Sequence, residues 1–346
     1  SPHLRAKSPF PMLWTGFLLM ALLTVVALGL AIGQWERPIA GVLVDPFGLV
    51  DNYGWPSWSG YQQGLAYPDR VIAANDHRLN PDAAAVDLDR IAAQAQAAAT
   101  TSAPAPIRLL IEQGDSYRVV PVTVGRVGLP TWLLLCGGYL LLAWVWLSAA
   151  GILYTARPQS RAVGSFVRWV LVAAVLLITL FDFHTTRRLV QLTLIAYACL
   201  PSALIEIGLC FPERIAILSA RPRLLWILRA LDVALAGVLI YGYLHRHSFR
   251  SIVDVGTAIA IVSLTVILAL RCTQAQGRRR VQLLVALLLL MPLYLVLGGM
   301  LLWTPDRSAP YLYVLVLPIT VFGALGMAYA LLRYDIWDSR TLLRKP

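Results

Sequence analysis

Uninterrupted apolar stretches dominate the chain, and polar positions gather between them. About 20 apolar residues cross the hydrocarbon core of a bilayer as a helix. Scanned at that length, the sequence predicts eight spans at about 12–33, 131–153, 167–184, 189–211, 224–244, 252–271, 281–303 and 310–333. The first, from Met12 to Gly33, is long and lacks a small-residue cleavage site, so it reads as a retained anchor rather than a signal peptide. The third is the weakest, because Arg168 and Asp182 bracket a short apolar centre. Between the first two spans the pattern changes. Residues 34–130 alternate short β-like runs, turns and one Ala-rich helical stretch, as a small folded domain does.

Composition agrees with the pattern. Of 346 residues, 58% are hydrophobic and 14% charged. Soluble domains have roughly 45–50% apolar and about 25% charged residues. An ordinary soluble enzyme, a disordered chain and a disulfide scaffold are therefore excluded. Cys136, Cys199, Cys210 and Cys272 lack C-x-x-C spacing and fall in or beside apolar segments, so they read as small buried hydrophobes.

Charge adds an orientation. The net charge is +11, but the cations are parcelled into short loops. With eight crossings, one set of loops and both termini hold 17 Lys/Arg, against 5 in the opposite short loops. The positive-inside rule then places both termini in the cytoplasm and residues 34–130 outside. That insert carries ten acidic and seven basic residues, a net −3. Trp14, Trp35, Trp132, Trp169, Trp303 and Trp337 lie near predicted span ends, as interfacial anchors do. The basic loops suit anionic lipid rather than nucleic acid.

Within the insert, Ala40–Val44 reads as a short strand and Asp51–Gly60 as a Trp-containing turn region. Pro68 to Asp76 reads as turn, strand and turn, 82–99 as a helix, and 107–112 with 117–124 as a hairpin about Gln113-Gly114-Asp115. The run Gly64-Leu65-x-x-Pro68-Asp69-Arg70-Val71-Ile72-x-x-Asn75-Asp76 resembles the signature of bacterial PDZ domains. Pro68 and Asp76 stand where that family has Gly, so both turns depart from its pattern. The resemblance implies peptide docking by strand addition beside the helix. Trp55, Trp58, Tyr61 and Tyr67, read as exposed aromatics of the turn region, are the candidate ligand contacts.

Ionisable residues inside or near spans default to a functional reading because charge in hydrocarbon is costly. Glu206, Arg229 and Asp232 are placed to form one polar cluster coupling the fourth and fifth spans, with helix-end snorkelling as the plainer reading. Two further stretches are Phe211-Pro212-Glu213-Arg214, and Tyr329-Ala330-Leu331-Leu332-Arg333-Tyr334 followed by Asp335 and Asp338. They resemble the seven-helix sensor region of bacterial sensor histidine kinases of the competence-pheromone type. The resemblance implies a last helix, carrying Arg333, Tyr334, Asp335 and Asp338, that reports to a cytoplasmic output. It also implies a bacterial cytoplasmic membrane.

No motif of catalysis, nucleotide binding or metal ligation occurs in these residues, and no cofactor is implied. The sequence thus predicts a polytopic α-helical membrane protein of eight spans with an inserted small α+β PDZ-like extracytoplasmic domain. Residues 1–33 are the cytoplasmic N-terminus and first helix, 34–130 the insert, 131–333 a seven-helix bundle, and 334–346 a tail leading to a possible output domain. The expected role is a sensory input module for an extracytoplasmic or lipophilic ligand or a partner protein. Its expected partners are the bilayer, a peptide or protein at the insert, and a second copy or larger membrane complex, with no nucleic acid. A non-catalytic accessory subunit and a transporter or channel are the alternatives.

Overall fold

A computed structural model describes residues 10–51, 57–81, 83–99, 106–158, 160–211, 223–245 and 250–277, with isolated positions at 280, 281, 283, 284, 325 and 326. The chain is mostly helical. Five of its described helices are long and apolar enough to cross a bilayer. They are α1 (Phe10–Ile32), α4 (Leu129–Ala156), α5 (Arg161–His184), α6 (Val190–Cys210) and α7 (Leu224–Leu244). A further helix, α8 (Arg250–Gln274), has a shorter apolar stretch at Ala258–Gln274. These six coincide with the first six predicted spans. The predicted spans 281–303 and 310–333 and the tail with Arg333, Tyr334, Asp335 and Asp338 fall outside the described residues, apart from positions 281, 283, 284, 325 and 326.

The third span differs most from expectation. Its helix starts at Arg161, where the Ser160 side chain accepts a 3.4 Å bond from the Val163 N–H. Arg168 and Asp182 are therefore both inside α5 rather than at its edges, and each is paired. Trp132 and Trp169, expected as interfacial anchors, are buried at 8% and 9% exposure. Trp132 donates from Nε1 to the Ala31 carbonyl at 2.9 Å, and Trp169 stacks on Trp146 with centroids 4.9 Å apart. Their rings are worth more as packing between helices than at the lipid boundary.

In the bundle, α5 packs on α4, α6 and α1, and α6 also packs on α7 and α8. Small residues set the close approaches. A Cβ at Gly208 of α6 would lie 2.8 Å from Leu264 of α8. In lipid, where apolar burial gives no drive between helices, such contacts are the attraction. A π-helical turn at Leu133–Gly137 interrupts α4 near its start.

The insert forms its own core. Strands β2 (Arg70–Ala74), β3 (His77–Arg78), β4 (Pro106–Gln113) and β5 (Ser116–Thr123) make an antiparallel sheet in the order β3-β2-β4-β5. Ile107, Leu109 and Ile111 of β4 are essentially fully buried and alternate with more exposed neighbours. Each such burial stabilises by about 1.5–3 kcal/mol. Helix α3 (Ala84–Ala98) contributes Ala84, Ala85, Leu88 and Ala92 to the same core. Asn75 and Asp76 take φ of +48° and +66°, so the β2–β3 turn keeps left-handed geometry without glycine.

The expected strand at Ala40–Val44 is instead a bent segment. Strand β1 is only Pro38–Ile39, paired with β6 (Gly125–Arg126), and Val44 bridges back to Val50. The bend is at Gly41, where φ is +68° and the carbonyl accepts from Gly60 N at 2.9 Å. The short helix α2 (Ser59–Gln62) lies beside it.

Candidate functional site

Two arrangements carry the chemistry: a joint between the insert and the bundle, and a charge network deeper in the helices. The joint starts with the Val44–Val50 hairpin. The Asp45 carboxylate accepts from Phe47 N at 2.8 Å and Leu49 N at 2.9 Å, which fixes the tip. Phe47 thereby seats between α6 and α7. It packs against the cluster of Val190, Leu194, Ala198 and Leu239 and meets the Tyr243 ring edge-on at 6.1 Å.

The bundle supplies the other half through the turn between α5 and α6. Asp182, 3% exposed, organises it. Its carboxylate accepts from Leu189 N at 2.7 Å, Arg188 N at 3.3 Å and the Thr186 hydroxyl, and its carbonyl accepts from Arg187 N at 2.7 Å. The turn puts Arg187 at φ +60° and aims it at the insert. One Arg187 Nη donates to the Val44 carbonyl at 3.0 Å, and the other lies 3.9 Å from Asp89 of α3. His184, at the end of α5, pairs through Nδ1 with the buried Asp51 carboxylate. Burial pushes the Asp89 carboxyl up, against the pull of Arg187 and Arg37, and pushes the Arg187 guanidinium down. Desolvation therefore outweighs attraction on both partners.

The second arrangement joins α5, α6 and α7 in the half of the bundle away from the insert. Arg168 donates to Glu206 at 2.6 Å, to Asp232 at 2.5 Å and to the Ser202 hydroxyl at 3.0 Å. Arg229 donates to the same Glu206 oxygen at 2.6 Å and lies 3.9 Å from Asp232. With both acids ionised, two cations face two anions and the network is neutral. Such a set is tolerated away from water only because the partners are close and hydrogen-bonded.

The structure brings Glu206, Arg229 and Asp232 together, as their spacing suggested. Arg168, the residue that bonds both acids, carries no sequence signal beyond its place at a predicted span edge. Of the four aromatics, Trp55 lies outside the described residues. Trp58 is buried rather than exposed, 7%, in a cluster with Ala31, Trp132, Tyr139 and Phe181, where the insert meets the bundle. Tyr61 is half-buried, stacked on Trp58, and its hydroxyl donates to the Asp51 carbonyl at 2.6 Å. Tyr67 is half-buried and lines a pocket of about 170 Å³ with Pro68, Asp69, Gln113 and Gly114. That pocket is smaller than the roughly 300–1,000 Å³ usual for ligand sites. Asp51, His184 and Arg187 carry no sequence signal beyond their place near element ends, and Asp89 none beyond its place within α3. Among the described residues no cluster of three or more His, Cys, Asp or Glu is set to hold a metal. Compared with family models, with curated proteins and with solved structures, the chain matches none.

Proposed function

We propose that the chain is a membrane sensory input module, with the insert outside the cytoplasm and both termini inside. In this reading the insert is a PDZ-like domain that receives a peptide, a lipophilic ligand or a partner protein. The bundle of eight spans passes the change to a cytoplasmic output such as a histidine kinase. One observation carries the reading. Phe47, at the tip of an insert hairpin, is wedged between α6 and α7, and the same two helices share the charge network with α5 at their other halves. Moving the hairpin changes α6–α7 packing, and a packed pair of helices linked by a few charged bonds has discrete rather than graded responses. A ligand shifts such a balance only by its differential affinity for the two arrangements.

Hydrogen exchange of the full chain in lipid nanodiscs tests this. Phe47→Ala is expected to speed exchange of peptides covering 199–207 and 228–236 as well as the joint. An accessory subunit that uses the insert only for docking predicts a change confined to the joint. A transporter predicts solute flux in proteoliposomes that Phe47→Ala alters.

A further inference from the structure

The pocket beside Tyr67 contains a buried carboxylate with only one of its oxygens in use. It lies where the loop after α2 meets the tip of the β4–β5 hairpin. The loop contributes Ala66, Tyr67, Pro68 and Asp69, and the hairpin Gln113 and Gly114. A volume of about 170 Å³ excludes a drug-sized molecule and leaves room for a few waters or one side-chain head group.

The Asp69 side chain is 4% exposed. Both of its hydrogen bonds fall on Oδ2, which accepts from Ala66 N and from an Arg118 Nη, each at 3.3 Å. Oδ1 accepts from none of the described residues. An ionised carboxylate offers about four acceptor sites, and a buried acceptor left without a donor is costly. Arg118 does not make up the difference. The same Nη also donates to the Gly64 carbonyl at 3.2 Å, and Arg118 is not part of the pocket lining. Its Nε is buried, out of reach of an anion in the pocket. Asp69 is the charged group among the lining residues.

The surrounding charge has the same sign. Glu112 and Asp115 flank the two hairpin residues of the lining, and Arg70 lies 3.9 Å from Glu112. Three carboxylates, Asp69, Glu112 and Asp115, thus stand against two guanidiniums, Arg70 and Arg118, in an insert of net −3. Tyr67 adds an aromatic ring, whose face attracts a cation.

We infer that this pocket binds one cationic head group, a primary ammonium or a guanidinium on an aliphatic stem, which donates to Asp69 Oδ1 while its stem lies against Tyr67 and Pro68. A Lys or Arg side chain of a polypeptide and a free alkylamine share this chemistry. The pocket is apart from the joint but tied to it through the backbone. The Asp69 carbonyl accepts from Val50 N at 2.7 Å, and the Gly48 carbonyl accepts from Val71 N at 2.8 Å. The hairpin that carries Phe47 is thus bonded to the backbone of Asp69 itself. Binding does not depend on the sensory reading; only the use of the pocket as an input rests on it.

Saturation-transfer NMR on the full chain in phosphatidylcholine nanodiscs, with empty nanodiscs as the blank, tests the site. The probes are n-butylammonium, Nα-acetyl-lysine amide and, as the neutral match, Nα-acetyl-norleucine amide. Saturable binding of a cationic probe and none of the norleucine compound is expected. Asp69→Asn is expected to weaken binding at least about tenfold, the size of a hydrogen bond to a charged group. Ala66→Leu fills the pocket, leaves the carboxylate in place and is expected to abolish binding. Binding of n-butylammonium as tight as that of the blocked lysine supports the site with a free amine as its ligand; binding of the blocked lysine alone supports it with a polypeptide. No saturable binding of either cation overturns the site, and so does wild-type affinity in either variant. Equal binding of the norleucine compound overturns its choice of a cation. If Asp69→Asn fails to fold, the norleucine comparison and Ala66→Leu still decide. The Phe47→Ala experiment addresses the sensory reading without any probe, so either proposal can fail alone.

Discussion

Arg168 reaches two carboxylates and a hydroxyl on two neighbouring helices, and its own helix begins only two turns earlier. Removing it strands Asp232, whose next cation is 3.9 Å away, while Glu206 keeps Arg229 at 2.6 Å. Breaking a buried pair from one side costs about 3–5 kcal/mol. Arg168→Met is therefore expected to lower the thermal midpoint in detergent by that equivalent, and Arg168→Met with Asp232→Leu to recover part of it. A single mutant that melts like wild type would refute the pairing. Asp89 supplies a pH dependence of opposite origin. Burial holds its carboxyl above the ordinary 3.8, with Arg187 and Arg37 pulling down. A raised value means the folded chain holds the proton more tightly than the unfolded one. Its contribution to folding stability is full below 3.8 and lost as pH rises through the raised value. The thermal midpoint in detergent should therefore fall over that window. Asp89→Asn should flatten the profile, even though Asp45 and Tyr243 also lie near Arg187; a profile that survives the substitution excludes Asp89 as its source.

At the scale of elements, helix ends decide how the bundle closes. The end of α6 is held from another helix: Arg271 of α8 donates to the Gly208 carbonyl at 2.9 Å and to the Phe211 carbonyl. These are orphan acceptors of a helix C-terminus, and a cation there also meets the negative end of the dipole. The Phe211-Pro212 step that stops α6 is legible in the sequence, since the residue before proline avoids the helical region. Its cap is not legible, because Arg271 lies in a different helix and reads there as one more boundary cation. Arg271→Ala is expected to fray 207–211, with several-fold faster exchange at Cys210 and Phe211, and to leave α4 and α5 unaffected. Loss of protection throughout the bundle would instead make Arg271 a general packing residue. The β4–β5 hairpin and α3 behaved differently. Their positions follow from alternation, from Gly114 at φ +60° and from Ala-rich helix propensity, all of which act within a few residues.

For the molecule as a whole, the question is how a small domain and a helical bundle become one mechanical body. The insert is attached covalently at Ile32 and Leu129, but its register on the bundle comes from Phe47, His184–Asp51, Arg187 and the buried Trp58. These contacts surround the end of the bundle where α1, α5 and α7 finish and α4 and α6 begin. Phe47→Ala and Arg187→Gln separate the apolar wedge from the polar contact, because the two sit at different places in the same joint and use different forces.

The apolar runs by themselves determined six described helices to within a few residues, except for the start of α5, and the break in the pattern determined where the insert lies. Those features depend on local quantities: length of apolar run, period, turn residues, proline. Tertiary structure alone decided that Trp58, Trp132 and Trp169 turn inward, that Arg168 rather than Arg229 bonds both acids, and that Arg187 crosses to Val44. The reason is separation along the chain. A hydrogen bond between positions 44 and 187, or a ring shared by Phe47 and Tyr243, leaves no periodic trace in either stretch. It exists only once the loop between them has closed and the helices have taken their places.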